Sequence, residues 1–188
     1  MASSTRSRRV VGSLASGVCY AAILGGVFVE QATAQEPVPA LTRIRSSNRT
    51  TAELIARTSG RSLTFKALVE RFQNTDGIVH IEFGECGFGV RGCLLAWLNA
   101  AGGYRYLRIT VDRRLATAED EFMALVGHEL QHAIEAVSEP GVTSGPLLYH
   151  FFDRIGRTGN TRFETPAALD AGDAVRSELQ AHRRRSAR

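Results

Sequence analysis

Apolar and polar positions along the chain change their period several times, and each change marks an element. An uncharged run over positions 10–29 comes first, behind nine residues whose only charges are arginines. From Thr50 to Thr58 and again from Leu63 to Asn74, apolar residues recur at intervals of three and four: Leu54 and Ile55, then Phe65, Leu68, Val69 and Phe72. Ser59-Gly60 separates the two stretches, and two short amphipathic helices are predicted. After the turn signal Asp76-Gly77 the pattern shortens, and the branched residues of Ile78-Val79-His80-Ile81-Glu82-Phe83 predict a strand. Leu94–Leu98 and Tyr104–Val111 flank Asn99-Ala100-Ala101-Gly102-Gly103, a hairpin connection. The second arm alternates Tyr104, Tyr106, Arg108, Thr110 against Arg105, Leu107, Ile109, Val111, as a strand with one buried face does.

The helical period returns with Phe122, Leu125, Val126, Leu130, Ala133 and Val137 on one side. Thr117 stands where an N-cap belongs, Asp120 could close a capping box with it, and Glu119–Glu121 put acids in the first turn. Ser138-Glu139-Pro140-Gly141 ends this helix near Val137. Residues 146–155 predict another short apolar helix, and a last one runs from about Thr165 to His182 into a solvated tail, Arg183-Arg184-Arg185. The sum is one α+β domain: a small antiparallel sheet packed on the long helix, with further helices on the C-terminal side. Tyr104–Val111 ends shortly before that helix starts. As the sheet edge, it would offer free backbone groups to an extended substrate; the alternative is an edge without that role, on which Arg105 and Arg108 only discourage self-pairing.

Composition narrows the class. With 188 residues, 44% of them hydrophobic and 22% charged, the chain suits one globular domain and excludes disordered, collagenous and coiled-coil proteins. The net charge of +4 is mild and partly gathered at the N-terminus, and Lys66 is the only lysine among 23 basic residues. Such arginine bias reflects composition rather than a phosphate-reading surface, so nucleic acid is not an expected partner. The arginine-only start, the uncharged run and Ala32-Thr33-Ala34 have the layout of a cleavable export signal, positions 1–34. Arg8-Arg9 resembles a twin-arginine signal and leaves that route open beside the general one. Positions 35–47, with Pro37 and Pro39, read as a tether, and 48–188 as the domain, exported to the periplasm or beyond and without stable membrane association once the signal is removed. Cleavage removes Cys19 and leaves Cys86 and Cys93, which in an oxidising compartment could close a small disulfide loop, two reduced thiols or half a metal site being the rival readings.

The chemistry lies in His128-Glu129-Leu130-Gln131-His132, inside the long helix. At about 100° per residue the two histidines fall about 40° apart, one turn from each other, so both imidazoles can reach one ion. Zn2+ suits such donors. Glu129, about 100° round from His128, is placed for proton transfer with a metal-activated water rather than for ligation. Tyr149 and His150 could also face a developing oxyanion. The polar side of a solvated helix is the plain alternative to all of this.

On His128, Glu129 and His132, set on a helix that follows a short sheet, the sequence resembles the zincin metallopeptidases. That resemblance implies a zinc-dependent peptidase with Glu129 as general base and a peptide or protein as substrate. The metzincin branch requires a glycine and a third histidine where this chain has Glu135 and Ser138. The gluzincin branch takes a glutamate from a later helix, and Glu164, in Phe163-Glu164-Thr165-Pro166, stands where such a ligand could be. His150, Asp153, Asp170 and Asp173 are the alternatives, while Glu135 and Glu139 read as supporting or surface groups. A non-catalytic zinc module and an amidase acting on cell-wall peptide remain as other functions for the same residues.

Overall fold

The structure is a computed structural model that describes residues 43–159 and 162–188. The expected signal at 1–34 and the tether up to position 42 lie outside the described residues. Strand β1 (Ile44–Arg45) pairs in parallel with β2 (Gly77–Phe83), Ile44 opposite Val79, so the end of the segment read as a tether belongs to the sheet. Between them lie α1 (Arg49–Ser59) and α2 (Leu63–Gln73), close to their expected bounds. Asn48 Oδ1 accepts from the Thr51 N–H and Ser62 Oγ from the Phe65 N–H, both at 3.0 Å, so each helix starts on a side-chain cap.

β3 (Gly92–Ala101) and β4 (Tyr104–Val111) form the expected hairpin around Gly102 and Gly103, both with positive φ. The sheet is nevertheless mixed, not antiparallel: its order is β1-β2-β4-β3, and only the β3–β4 pair is antiparallel. The segment after β2 reverses the chain but leaves a gap one strand wide. The hairpin returns through that gap, so β4 runs parallel to β2. β4 is therefore interior, and the edge is β3, whose pairing slips between Leu94 and Leu98.

The alternation read in β4 holds: Leu107, Ile109 and Val111 are buried, and Arg105 is buried with them. Its guanidinium binds Asp76 through Nε and Nη2 and reaches the carbonyls of Ala136, Val137, Glu139 and Val142 at the end of the long helix α3 (Glu119–Ser138). Arg105 thus caps a helix C-terminus with a buried cation. Arg108, on the opposite face, pairs with Glu82 and lies over the Trp97 ring.

The capping box expected at Thr117 does not form. Ala118 is the N-cap, without a side-chain bond, because a 3-10 turn (Arg113–Leu115) feeds the chain into α3. Asp120 is instead buried and ion-paired with Arg61 and Arg183. α3 packs on β2, β3 and β4 and on α5 (Pro166–Ser186). The α3–α5 contact is close: a Cβ added at Gly127 would come 3.0 Å from Val175, and one at Gly172 would come 3.1 Å from the Cβ of His128. α4 (Gly145–Ile155) begins beside the sheet edge, where Ser144 bridges to Asn99. A short hairpin, β5 (Arg157–Gly159) and β6 (Arg162–Glu164), follows without having been expected. α5 is capped by Thr165 and continues through Arg183–Arg185, so the solvated tail is helical. No described helix is long and apolar enough to cross a membrane.

Candidate metal centre

Because α3 is covered on two sides, its polar residues need partners, and the structure supplies them. His128, Glu129 and His132 face one cleft of about 340 Å³, and their potential ligand atoms all lie within 4.8 Å of one another. The two imidazoles stand edge to face with centroids 4.9 Å apart, as the one-turn spacing requires.

Glu164 comes to them from the end of β6. Its Oε2 is 3.0 Å from His128 Nε2 and 3.7 Å from His132 Nε2. A tetrahedral ion with ligand bonds of 2.0–2.1 Å has ligand–ligand edges of about 3.3 Å, which these distances bracket. Glu164 Oε2 is also buried without a well-directed hydrogen bond. A shared cation could satisfy a buried carboxylate oxygen that faces two imidazole nitrogens in this way, so the residues present fit zinc. The facing imidazoles hold the Glu164 carboxyl well below its ordinary range, with burial opposing them. Pro166 sits in the first turn of α5 and Thr165 is its N-cap, which leaves Glu164 just before that helix and free to turn into the cleft.

The four alternative ligands do not join this group. His150, Asp153, Asp170 and Asp173 are all exposed; Asp173 pairs with Arg176, and the His150 ring stands against Tyr149. Tyr149 itself lines the cleft and packs edge-on against Phe163.

Behind His132 lies a second layer that the spacing only hinted at. His132 Nδ1 faces Glu135 Oε2 at 3.2 Å, and Glu135 Oε1 accepts from Thr165 Oγ1 at 2.8 Å and from Gln131 Nε2 at 3.1 Å. Glu135 thus ties a candidate ligand on α3 to the residue next to Glu164. Burial lowers the His132 pKa, but Glu135 and Glu164 outweigh it and raise the value to about 9. Glu139 has no such part; it is half-buried, and its backbone carbonyl serves Arg105.

Glu129 is buried. Its Oε2 accepts the Leu94 N–H at 2.7 Å, from the sheet edge. Burial pushes its pKa up, while the two histidines and the Leu94 N–H pull it down. Nothing in the sequence marked Leu94, because the group it contributes is backbone. Apolar side chains complete the cleft, among them Leu125, Leu148, Phe152 and Phe163.

Comparison of the chain with protein-family models, with curated proteins and with solved structures finds no match. The functional reading rests on the residues of this chain. Two imidazoles and one carboxylate are a donor set that could hold a metal ion. Glu129 places a buried carboxylate, a group able to accept and release a proton, beside them.

Proposed function

We propose that the chain is an exported zinc-dependent peptidase, with His128, His132 and Glu164 as the ligand set and Glu129 as general base. The observation that carries this reading is the convergence of His128 Nε2, His132 Nε2 and the unsatisfied Glu164 Oε2 on the floor of a cleft that also holds a buried carboxylate.

A zinc ion held by these residues would supply a Lewis acid and bring the pKa of a water toward 7. Glu129 does the proton work. The Leu94 N–H occupies Oε2, and Oε1 is the oxygen left to take a proton from the attacking water and return it to the leaving nitrogen. Burial raises the proton affinity of Glu129, which suits a group that must both accept and donate. The apolar walls exclude bulk water from this exchange. The Cys86–Cys93 disulfide supports the exported part of this reading, because such bonds persist in oxidising compartments.

The test is metal analysis joined to one variant. The purified protein should hold about one equivalent of zinc, and Glu129→Gln should keep the zinc while losing about a hundredfold or more in peptide turnover. Zinc below about a tenth of an equivalent after growth with zinc, with none taken up on addition, rejects the metal centre. Zinc retained with no turnover of any peptide in the wild type rejects the peptidase and leaves a zinc module or another amide as substrate.

A further inference from the structure

One wall of the cleft is the segment between β2 and β3 with the start of β3, contributing Cys86, Val90 and Arg91, then Cys93. The segment has neither helix nor strand over 84–91, and its tip is poorly packed. Gly87 and Gly89 have φ of 105° and 72°, a Cβ built on either would meet no atom within 4 Å beyond the adjoining residues, and Phe88 between them is fully exposed. Its ends are held by the sheet, Gly84 N–H to Val111 O at 3.0 Å and Asp112 N–H to Arg91 O at 2.7 Å. Across the loop runs the Cys86–Cys93 disulfide, with Cα atoms 5.8 Å apart.

Cys93 immediately precedes Leu94, whose N–H holds Glu129. Leu94 also stands at a break. Gly92, Cys93 and Leu94 pair with Val111, Thr110 and Ile109, after which the register slips and regular pairing resumes only at Leu98. The stretch that carries the critical N–H is therefore three residues long, at a sheet edge, with irregular pairing on one side and a loosely packed loop on the other. Such stretches open easily unless something else restrains them. The disulfide is that restraint, placed one residue from the donor.

We infer that the Cys86–Cys93 disulfide is a positioning element for Glu129: it clamps Gly92–Leu94 against β4 and so aims the Leu94 N–H at the Glu129 carboxylate. The inference deepens the peptidase reading and rests on it for the role of Glu129. His128, His132 and Glu164 are carried by α3 and β6, and the disulfide crosslinks neither of these elements, so ligation and base positioning are separable.

The experiment compares the zinc-loaded wild type with Cys86→Ser/Cys93→Ser. Zinc content should stay the same. The Leu94 amide proton resonance should move upfield and its hydrogen exchange should quicken about tenfold or more as the stretch opens. Glu129→Ala with the disulfide intact should give the same upfield displacement, and the triple variant no further one, a coupling that a merely structural crosslink would not produce. On a peptide substrate, kcat should fall about a hundredfold with KM within about threefold, as expected when a reacting group is misplaced by an ångström or so. If the double variant does not fold, folded wild type reduced with a phosphine serves instead: two electrons pass from phosphorus to the disulfide, water supplies the oxygen of the phosphine oxide, and two thiols form. An unchanged Leu94 resonance and exchange after loss of the disulfide, or zinc lost together with the crosslink, overturns the inference. A wild type that turns over no peptide refutes the peptidase reading alone, since the amide measurements still decide whether the disulfide positions Glu129.

Discussion

Arg105 offers the sharpest test of how this fold is held together. Its guanidinium is buried, yet it satisfies the last carbonyls of α3 and the carboxylate of Asp76 at once. Arg105→Met keeps the length of the side chain and removes every one of those donors. Asp76 is 43% exposed and recovers much of its hydration, so its loss of a partner costs little. The carbonyls of Ala136, Val137 and Val142 lie in buried hydrogen bonds and recover less. Each unsatisfied acceptor costs about 1–3 kcal/mol where water cannot reach it, and partial rehydration brings the sum to about 3–5 kcal/mol. Against a total stability of about 5–15 kcal/mol that is a large fraction. Arg105→Lys keeps the charge but cannot fork between Asp76 and the helix end, and should cost about 2 kcal/mol. Urea unfolding followed by far-UV circular dichroism measures both; the midpoint should fall while the m-value stays constant, and the melting temperature of the Met variant should drop roughly 10 °C. Zinc content of the folded variants should not change, because His132 lies more than one turn before the carbonyls concerned. A cost below about 1 kcal/mol for Arg105→Met would show that water caps this helix as well as arginine does and would refute a stabilising role for the guanidinium.

Three further outcomes are expected. Glu135→Ala should weaken zinc binding about 10–100-fold in a competition assay with a chromophoric chelator, and Thr165→Val should act in the same direction more weakly, because both orient His132 and the Glu164 segment. In the metal-free protein the raised pKa of His132 makes its contribution to stability complete below the unfolded value of 6.5 and lost as pH rises through about 9; urea midpoints across that window should decline, and Glu135→Ala should flatten the decline. Glu178 binds Ser62 and Thr64 at the start of α2, and these bonds outweigh burial and hold its carboxyl below the ordinary 4.5. Its contribution is therefore present above pH 4.5 and lost as pH falls further, so Glu178→Gln should cost about 1–2 kcal/mol at neutral pH and reduce the acid slope of stability.

What could be read from the sequence is what one or two turns of chain determine. The helices α1, α2 and α4 follow from apolar repeats and their stops, and His128, Glu129 and His132 share a site because a single helical turn converts spacing into geometry. Choices of partner were not legible. Periodicity gave β4 its buried face but not its neighbours, and the insertion of β4 between β2 and β3 made the sheet mixed. Thr117 and Asp120 had the spacing of a capping box, but the distant Arg61 and Arg183 took Asp120 away. β5 and β6, three residues each, are too short to show a period. Glu164 was found by resemblance, and its approach to both histidines depends on that same short hairpin.

The location of the candidate centre on α3 has a thermodynamic side. α3 is the helix on which both the sheet and α5 rest, so it cannot melt locally while the rest of the domain survives. Any ion that binds His128, His132 and Glu164 in the folded chain, and not in the unfolded one, therefore loads its binding free energy onto the whole fold. At a free concentration a hundred times its dissociation constant, that is about 2.7 kcal/mol of added stability by mass action. Occupancy of the cleft and survival of the domain become one equilibrium.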